Sequence, residues 1–339
     1  MQIQNLLKQN KDKDLFSDIY GQEKSKKQLL SALIMNRHVI LVGPPGVGKT
    51  TLAKNISKIL PDIKVNSCEY NCDPANPACP TCKTETPKIK TLKGEERFIR
   101  IQGSPDLTVE DLLGDIDPIK AMQYGPLSKE AFTPGKIFKA NNGLLFFDEL
   151  NRCPEKLQNA LLQVLEEGKA TIGSYDVDFN ANFIFIGTMN PDDYSGTEKL
   201  SEVLLDRFDI VNIEYPETVE LEEKIVKVKG EKLEEVQFPS NLLNKTIEFI
   251  HKLRNNDKLE RFPSVRASLG LFERAQANAF LNNKQQVTRE DVMEAFVSVI
   301  AHRIKLKPSI RYLTTPEEFI KKEFSKHLEN SSRESGEAP

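Results

Sequence analysis

HVILVGPPGVGKTT, residues 38–51, joins an apolar run to a glycine-rich turn and then to the start of a helix-forming stretch. Gly43, Gly48, Lys49 and Thr50 occupy the fixed positions of G-x-x-x-x-G-K-[ST]. In that spacing glycines let the backbone curl until several N–H groups point at one phosphate. Lys49 supplies a point charge to the β- and γ-phosphates, and the Thr50 hydroxyl supplies a ligand for Mg²⁺. The helix expected in TLAKNISKIL (51–60) aims its N-terminus at the same anion. Pro44, Gly46, Val47 and Thr51 complete the expected contact set. A strand before and a helix after are the context this motif requires, which sets aside a chance glycine-rich turn.

A second stretch, GLLFFDELNR (143–152), runs apolar residues straight into Asp148 and Glu149. Such a run reads as a strand buried on both faces, as in a parallel sheet. Two adjacent acids at its end are electrostatically costly unless a cation meets them. With a phosphate loop elsewhere in the chain, the acids acquire separate tasks. Asp148 holds the Mg²⁺ shell opposite Thr50, and Glu149 accepts a proton from the attacking water. The chemistry expected of these residues is hydrolysis of ATP.

The 339 residues suffice for one large or two medium domains. With 29% charged and 39% apolar residues and a net charge of -3, the composition is that of an ordinary soluble chain with no global pull towards nucleic acid. No apolar window is long enough to span a bilayer, and the N-terminus lacks a secretory pattern, so a cytoplasmic protein without membrane insertion is expected.

Up to residue 216 strand-like and helix-like segments alternate, which predicts an α/β fold built on a parallel sheet. Its strand candidates are 38–43, 97–103, 143–150, 182–190 and 209–215. In PEKLQNALLQVLEEG (154–168), Leu157, Ala160, Leu161, Val164 and Leu165 form one helical stripe, with Pro154 suited to the first turn and Gly168 to the stop. Residues 61–95 read as an insert. Residues 114–142, with turn signals at Tyr124-Gly125-Pro126 and Thr133-Pro134-Gly135, read as a hairpin. Residues 217–325 read as a smaller all-helical domain, with helices near 219–229, 240–254, 265–282 and 288–304. Residues 326–339 read as a disordered tail.

The insert carries CEYNCDPANPACPTCK, in which Cys68, Cys72, Cys79 and Cys82 are spaced C-x3-C-x6-C-x2-C. Four thiolates form the soft tetrahedral set that structural Zn²⁺ takes. An iron–sulfur cluster takes the same ligands, and redox thiols are a further alternative. Lys83, Lys88, Lys90 and Lys93 follow as a basic tract without interleaved aromatics, read as a solvated loop rather than a nucleic-acid contact. Cys153 stands apart, as a core or helix-start residue.

The order GPPGVGKT, FFDE, IFIGTMNP, LLDRF and FPSVRAS resembles the AAA+ ATPases over roughly residues 15–305. DELNRCPEKLQNALLQVLEEG and SVRASLGLFERAQANAFLNNKQQVTREDVMEAF are similar to blocks of the MoxR and magnesium-chelatase ATPase-subunit group. The resemblance implies a P-loop NTPase sheet of five parallel strands between helices, with a helical lid. It places residues 114–142 at a helix-2 insert and residues 168–182 at a second hairpin before the sensor strand. It implies that Asn190 orients the attacking water, that Arg207 is an arginine finger reaching a neighbour's γ-phosphate, and that Arg266 is the lid's sensor arginine. Ile19 and Tyr20 lie where the family lines its adenine pocket. The group's properties further imply a homo-oligomeric ring, a hexamer, acting on a protein client or partner subunit with an integrin-like domain. A nucleic-acid motor and an ATP-dependent switch or scaffold are the alternatives. The cysteine cluster departs from the group's pattern.

Overall fold

The computed structural model describes residues 7–8, 14–77, 79–85, 87–125, 128–167, 170–172, 175–177, 182–190 and 200–334. They form two compact units, Met1–Gly43 with Gly48–Ile213 and Pro44–Val47 with Glu214–Pro339. The second unit thus takes up the chain at Glu214, where composition put the change at 217.

In the first unit the apolar runs become strands β1 (His38–Val42), β2 (Phe98–Gln102), β3 (Gly143–Asp148), β4 (Phe183–Met189) and β5 (Phe208–Asn212). They form one sheet in the order β5-β1-β4-β3-β2, every pairing parallel. Val39, Ile40 and Leu41 of β1 and residues 143–147 of β3 are buried throughout, as expected of strands covered on both faces. The register aligns the strand ends. Val42 lies opposite Met189 and Asn212, and Asp148 opposite Gln102. All carboxyl ends therefore meet along one edge, where open parallel sheets receive ligands.

Helices α1 (Glu23–Ile34), α2 (Lys49–Lys58) and α3 (Glu155–Glu167) belong to this unit. The five apolar residues of the predicted α3 stripe all face its core, Leu157, Leu161 and Val164 fully buried and Ala160 and Leu165 partly so. Of the inserts, Gly114–Ile116 pairs antiparallel with Phe132–Pro134, and the helix Pro118–Tyr124 lies between them. Ala170–Ile172 pairs with Tyr175–Val177. Pro126, Gly168 and Lys169 lie outside the described residues. Strand β3 stops at Asp148 rather than at 150, because Glu149 turns into the left-handed region at φ 56° and Leu150–Arg152 forms a 3-10 turn.

The second unit contains α4 (Val219–Lys229), α5 (Ser240–Arg254), α6 (Val265–Leu281), α7 (Arg289–Ile300) and α8 (Pro316–Glu334). Two expectations change here. The unit is not wholly helical, since Leu259–Arg261 pairs with Lys305–Leu306. Nor do residues 326–334 begin a structureless tail, for they continue α8, which buries Phe319, Ile320, Phe324 and Leu328. Residues 335–339 lie outside the described set. No described helix is long and apolar enough to cross a membrane.

A buried carboxylate anchors this unit. Arg254 donates to both oxygens of Glu222, at 2.6 and 2.8 Å, and Ser268 donates its hydroxyl to the same group. His251 Nε2 sits 2.8 Å away without hydrogen-bond geometry. Burial pushes the Glu222 carboxyl upward, but the Arg254 guanidinium and the neighbouring donors outweigh it and hold it at about 2. Glu222→Ala leaves Arg254 buried without its anion, so it is expected to cost about 3–5 kcal/mol in urea unfolding. Because the folded pKa is depressed, the stabilisation is complete above the ordinary value of 4.5 and is lost as pH falls towards about 2. Acid unfolding of Glu222→Gln should lack that component.

Candidate functional site

The loop between β1 and α2 is shaped by backbone that only glycine supports. A Cβ at Gly43 would meet the Ile213 carbonyl oxygen at 2.2 Å. Gly46 and Gly48 lie at φ 80° and 95°, on the left-handed side where other residues are strained. Gly48 is the N-cap of α2 and, being glycine, puts no side-chain cap over the helix's first turn. Lys49 Nζ donates to the Gly43 carbonyl across the mouth of the loop. The Gly43 N–H donates to Met189 O at 3.2 Å, tying the loop to the end of β4.

Both acids stand on the same edge. Asp148 Oδ1 accepts from the Thr188 hydroxyl at 2.7 Å, and Asp148 Oδ2 accepts from Arg100 Nη2 at 2.6 Å. That Thr188 oxygen also accepts from the Glu149 N–H at 2.9 Å, so one hydroxyl of β4 bridges the two acidic residues. Glu149 Oε2 accepts from Gln102 Nε2 at 2.9 Å, and Arg152 Nη1 lies 3.4 Å away. Asn190, just past β4, is held through its carbonyl, which accepts from Asn151 Nδ2 at 3.4 Å. Register thus brings Gly43, Lys49, Asp148, Glu149 and Asn190 to one edge of the sheet. Thr50 and Thr51 continue from Lys49 in the first turn of α2. Ile19 is close to the loop, its Cδ1 3.7 Å from where a Cβ on Gly48 would stand, and Tyr20 is half-buried beside it.

One expected residue, Arg207, stands away from this edge. Arg207 precedes β5, whose first residue lies opposite His38, the first of β1. It therefore stands at the end of the sheet away from the phosphate loop, paired with Glu166 of α3. Arg266 is an exposed residue in the first turn of α6 in the second unit. The loop tip Pro44–Val47 belongs to that unit too, and a Cβ at Gly46 would come within 3.0 Å of Arg266 Cγ.

The arrangement fits a magnesium nucleotide. A helix N-terminus without a capping side chain and glycine curvature suit phosphate oxygens, and a half-buried carboxylate with a hydroxyl across the sheet suits a hard, oxygen-seeking cation. Arg100, Gln102 and Thr188 were not singled out from sequence. Their signal was strand alternation, because Arg100 and Gln102, like Thr188 and Asn190, are two residues apart and share a face.

Away from this edge, the Sγ atoms of Cys68, Cys72, Cys79 and Cys82 all lie within 4.8 Å of one another, and no disulfide joins them. The Cys72 side chain, through its hydrogen bond, draws the Cys68 thiol down, whereas burial pushes the Cys82 thiol up. Cys153 is fully buried in the core of the first unit.

Residues 15–72 match the family described as magnesium chelatase, subunit ChlI. Residues 77–210 match the ATPase family associated with various cellular activities (AAA), and residues 261–323 match the AAA lid domain. The magnesium-chelatase subunit ChlI homolog of Methanocaldococcus jannaschii is 31% identical over 324 residues, covering 86% of this chain and 86% of that protein. The chloroplastic magnesium-chelatase subunit ChlI-2 of Arabidopsis thaliana is 30% identical over 326 residues, or 86% and 76% of the two chains. The chaperone MoxR1 of Mycobacterium tuberculosis is 26% identical over 316 residues, or 85% and 73%.

Proposed function

The chain belongs to the AAA ATPases, in the group of magnesium-chelatase ChlI and MoxR proteins, and on that premise we propose that it hydrolyses ATP to drive changes in a protein partner. The observation that carries the reading is the common edge. A phosphate-shaped loop, two acids and the Asn190 turn are brought together by parallel register, with Thr188 bridging the acids.

Gly43, Pro44, Gly46, Val47, Gly48, Lys49, Thr50 and Thr51 would bind the phosphates, with Ile19 and Tyr20 beside the base. Thr50 and Asp148 would hold Mg²⁺, which when bound neutralises charge on the β- and γ-phosphate oxygens. Thr188 fixes the Asp148 carboxylate, and Gln102 fixes that of Glu149. Glu149 orients the attacking water and takes its proton, and Asn190 lies on the same edge to help align that water.

The position of Arg207 supports a shared site. Strand β1 runs five residues between the Arg207 end of the sheet and the phosphate loop, roughly 16 Å of strand. A guanidinium so placed serves a neighbour's γ-phosphate more readily than its own, which favours a closed ring, a hexamer by family likeness. Work on a protein client or partner subunit, such as one with an integrin-like domain, is the reading carried by that likeness, with Arg266 as the lid's nucleotide sensor.

Calorimetry with Mg-ATP tests the site. Wild type should bind, and Lys49→Ala should bind roughly 10- to 100-fold more weakly, the loss expected of one charged hydrogen bond. Equal affinities in both would remove Lys49 from the phosphate site.

A further inference from the structure

We propose that Cys68, Cys72, Cys79 and Cys82 hold one Zn²⁺ ion, and that the ion bolts the insert to the starts of β3 and β4, away from the nucleotide edge. The four Sγ atoms lie within 4.8 Å of one another. A tetrahedral zinc site, with Zn–S near 2.3 Å, requires sulfurs roughly 3.8 Å apart. An iron–sulfur cluster instead spreads its thiolates over several irons around an inorganic core. A set this tight encloses a single ion.

The local backbone is built for thiolates. The N–H groups of Cys72, Cys79 and Cys82 donate to the sulfurs of Cys68, Cys72 and Cys79 at 3.4, 3.3 and 3.4 Å. Such bonds stabilise negative charge on sulfur, and four converging charges need a cation among them. The alternative, a compact apolar insert, is not what the residues supply. The small core of this segment consists of Cys72, Cys79 and Cys82 with Cys68 and Tyr70 packed against it. Without an ion that core is too small to order the loop.

The contacts of the insert give the ion its task. Asn141 Nδ2 donates to Tyr70 O at 3.2 Å, Asn71 Nδ2 to Lys139 O at 3.3 Å, and Asn142 Nδ2 to Asn71 O at 3.4 Å. The Tyr70 ring packs on Phe138, centroids 5.8 Å apart. The same asparagines grip the next strand. Asn142 N–H donates to Asn182 O at 2.7 Å, and Asn182 N–H donates to Asn141 Oδ1 at 3.1 Å. Buried Arg97 joins Pro61 O to Asn142 O, at 2.7 and 2.8 Å. Strand β3 begins at Gly143 and β4 at Phe183, so the knuckle clamps the amino ends of both strands. The acids stand at the far end of β3, six residues along, roughly 20 Å away. The ion therefore contributes to order and not to hydrolysis.

Elemental analysis of the full chain, purified without chelator, should find one zinc per chain, and Cys79→Ser should lose it. Cys153→Ser, outside the cluster, should keep it. Cobalt-exchanged wild type should show the visible bands of a tetrahedral thiolate site, a readout independent of any variant's folding. Stripping the ion should lower the thermal midpoint and open the Lys83 bond to trypsin, while Mg-ATP affinity changes less than about threefold, below 1 kcal/mol. Iron with or without sulfide, no metal, or zinc retained by Cys79→Ser would overturn the assignment. A stripped chain with unchanged melting and proteolysis would overturn the clamp. Failure of the metal-replete chain to bind Mg-ATP would instead sink the proposed ATPase and leave the zinc site standing.

Discussion

Glu149→Gln should bind Mg-ATP with near wild-type affinity and turn it over about 10²- to 10⁴-fold more slowly, the range lost with a general base. The surroundings of Glu149 make this a clean test. Gln102 Nε2 can go on donating to the amide oxygen of the new side chain, as it does to Oε2 at 2.9 Å. The contact to Arg152 is a half-exposed pair at 3.4 Å, of a kind worth little to stability. The Glu149 N–H keeps its Thr188 acceptor, because that bond belongs to the main chain. What disappears is proton affinity. Steady-state phosphate release beside equilibrium nucleotide binding measures both halves. Turnover within a few-fold of wild type, with binding intact, would take Glu149 out of the mechanism.

The second large effect concerns Arg207. Alone, Arg207→Ala should lose about 10³- to 10⁵-fold in turnover, as when an arginine finger is withdrawn from phosphoryl transfer. Folding should survive, because the side chain is partly exposed and, among the described residues, gives up a surface pair with Glu166. Mixed with Lys49→Ala subunits, however, activity should return. A Lys49→Ala subunit binds nucleotide poorly but still presents its arginine, and an Arg207→Ala neighbour has an intact loop in need of one. Light scattering or native mass measurement establishes co-assembly, and turnover is then read on the mixture. An inert mixture of confirmed mixed rings would confine each site to one chain and remove the main support for a shared ring.

The parts of the site legible in the sequence are those whose chemistry is local. Gly43, Gly48, Lys49 and Thr50 sit within one turn of the chain, so their spacing speaks for itself. Asp148 and Glu149 announce themselves because an apolar run ends in charge. Arg100 and Thr188 act on Asp148 only through strand register, and a sequence does not state which strand lies beside which. The left-handed turn at Glu149 was equally hidden, since glutamate carries none of the signal glycine would. Pairing of Leu259–Arg261 with Lys305–Leu306 escaped because strands of three and two residues are shorter than any alternation can mark. The extension of α8 was missed for another reason. Phe319, Ile320, Phe324 and Leu328 did carry helical spacing, but the polar residues that follow concealed how far the helix runs.

The left-handed backbone at position 149 has an evolutionary corollary. Its φ of 56° suits glycine or asparagine, and a side chain such as glutamate is disfavoured there by about 1–2 kcal/mol. Descendants selected for heat resistance alone would drift from glutamate towards those two residues, gaining durability while falling silent.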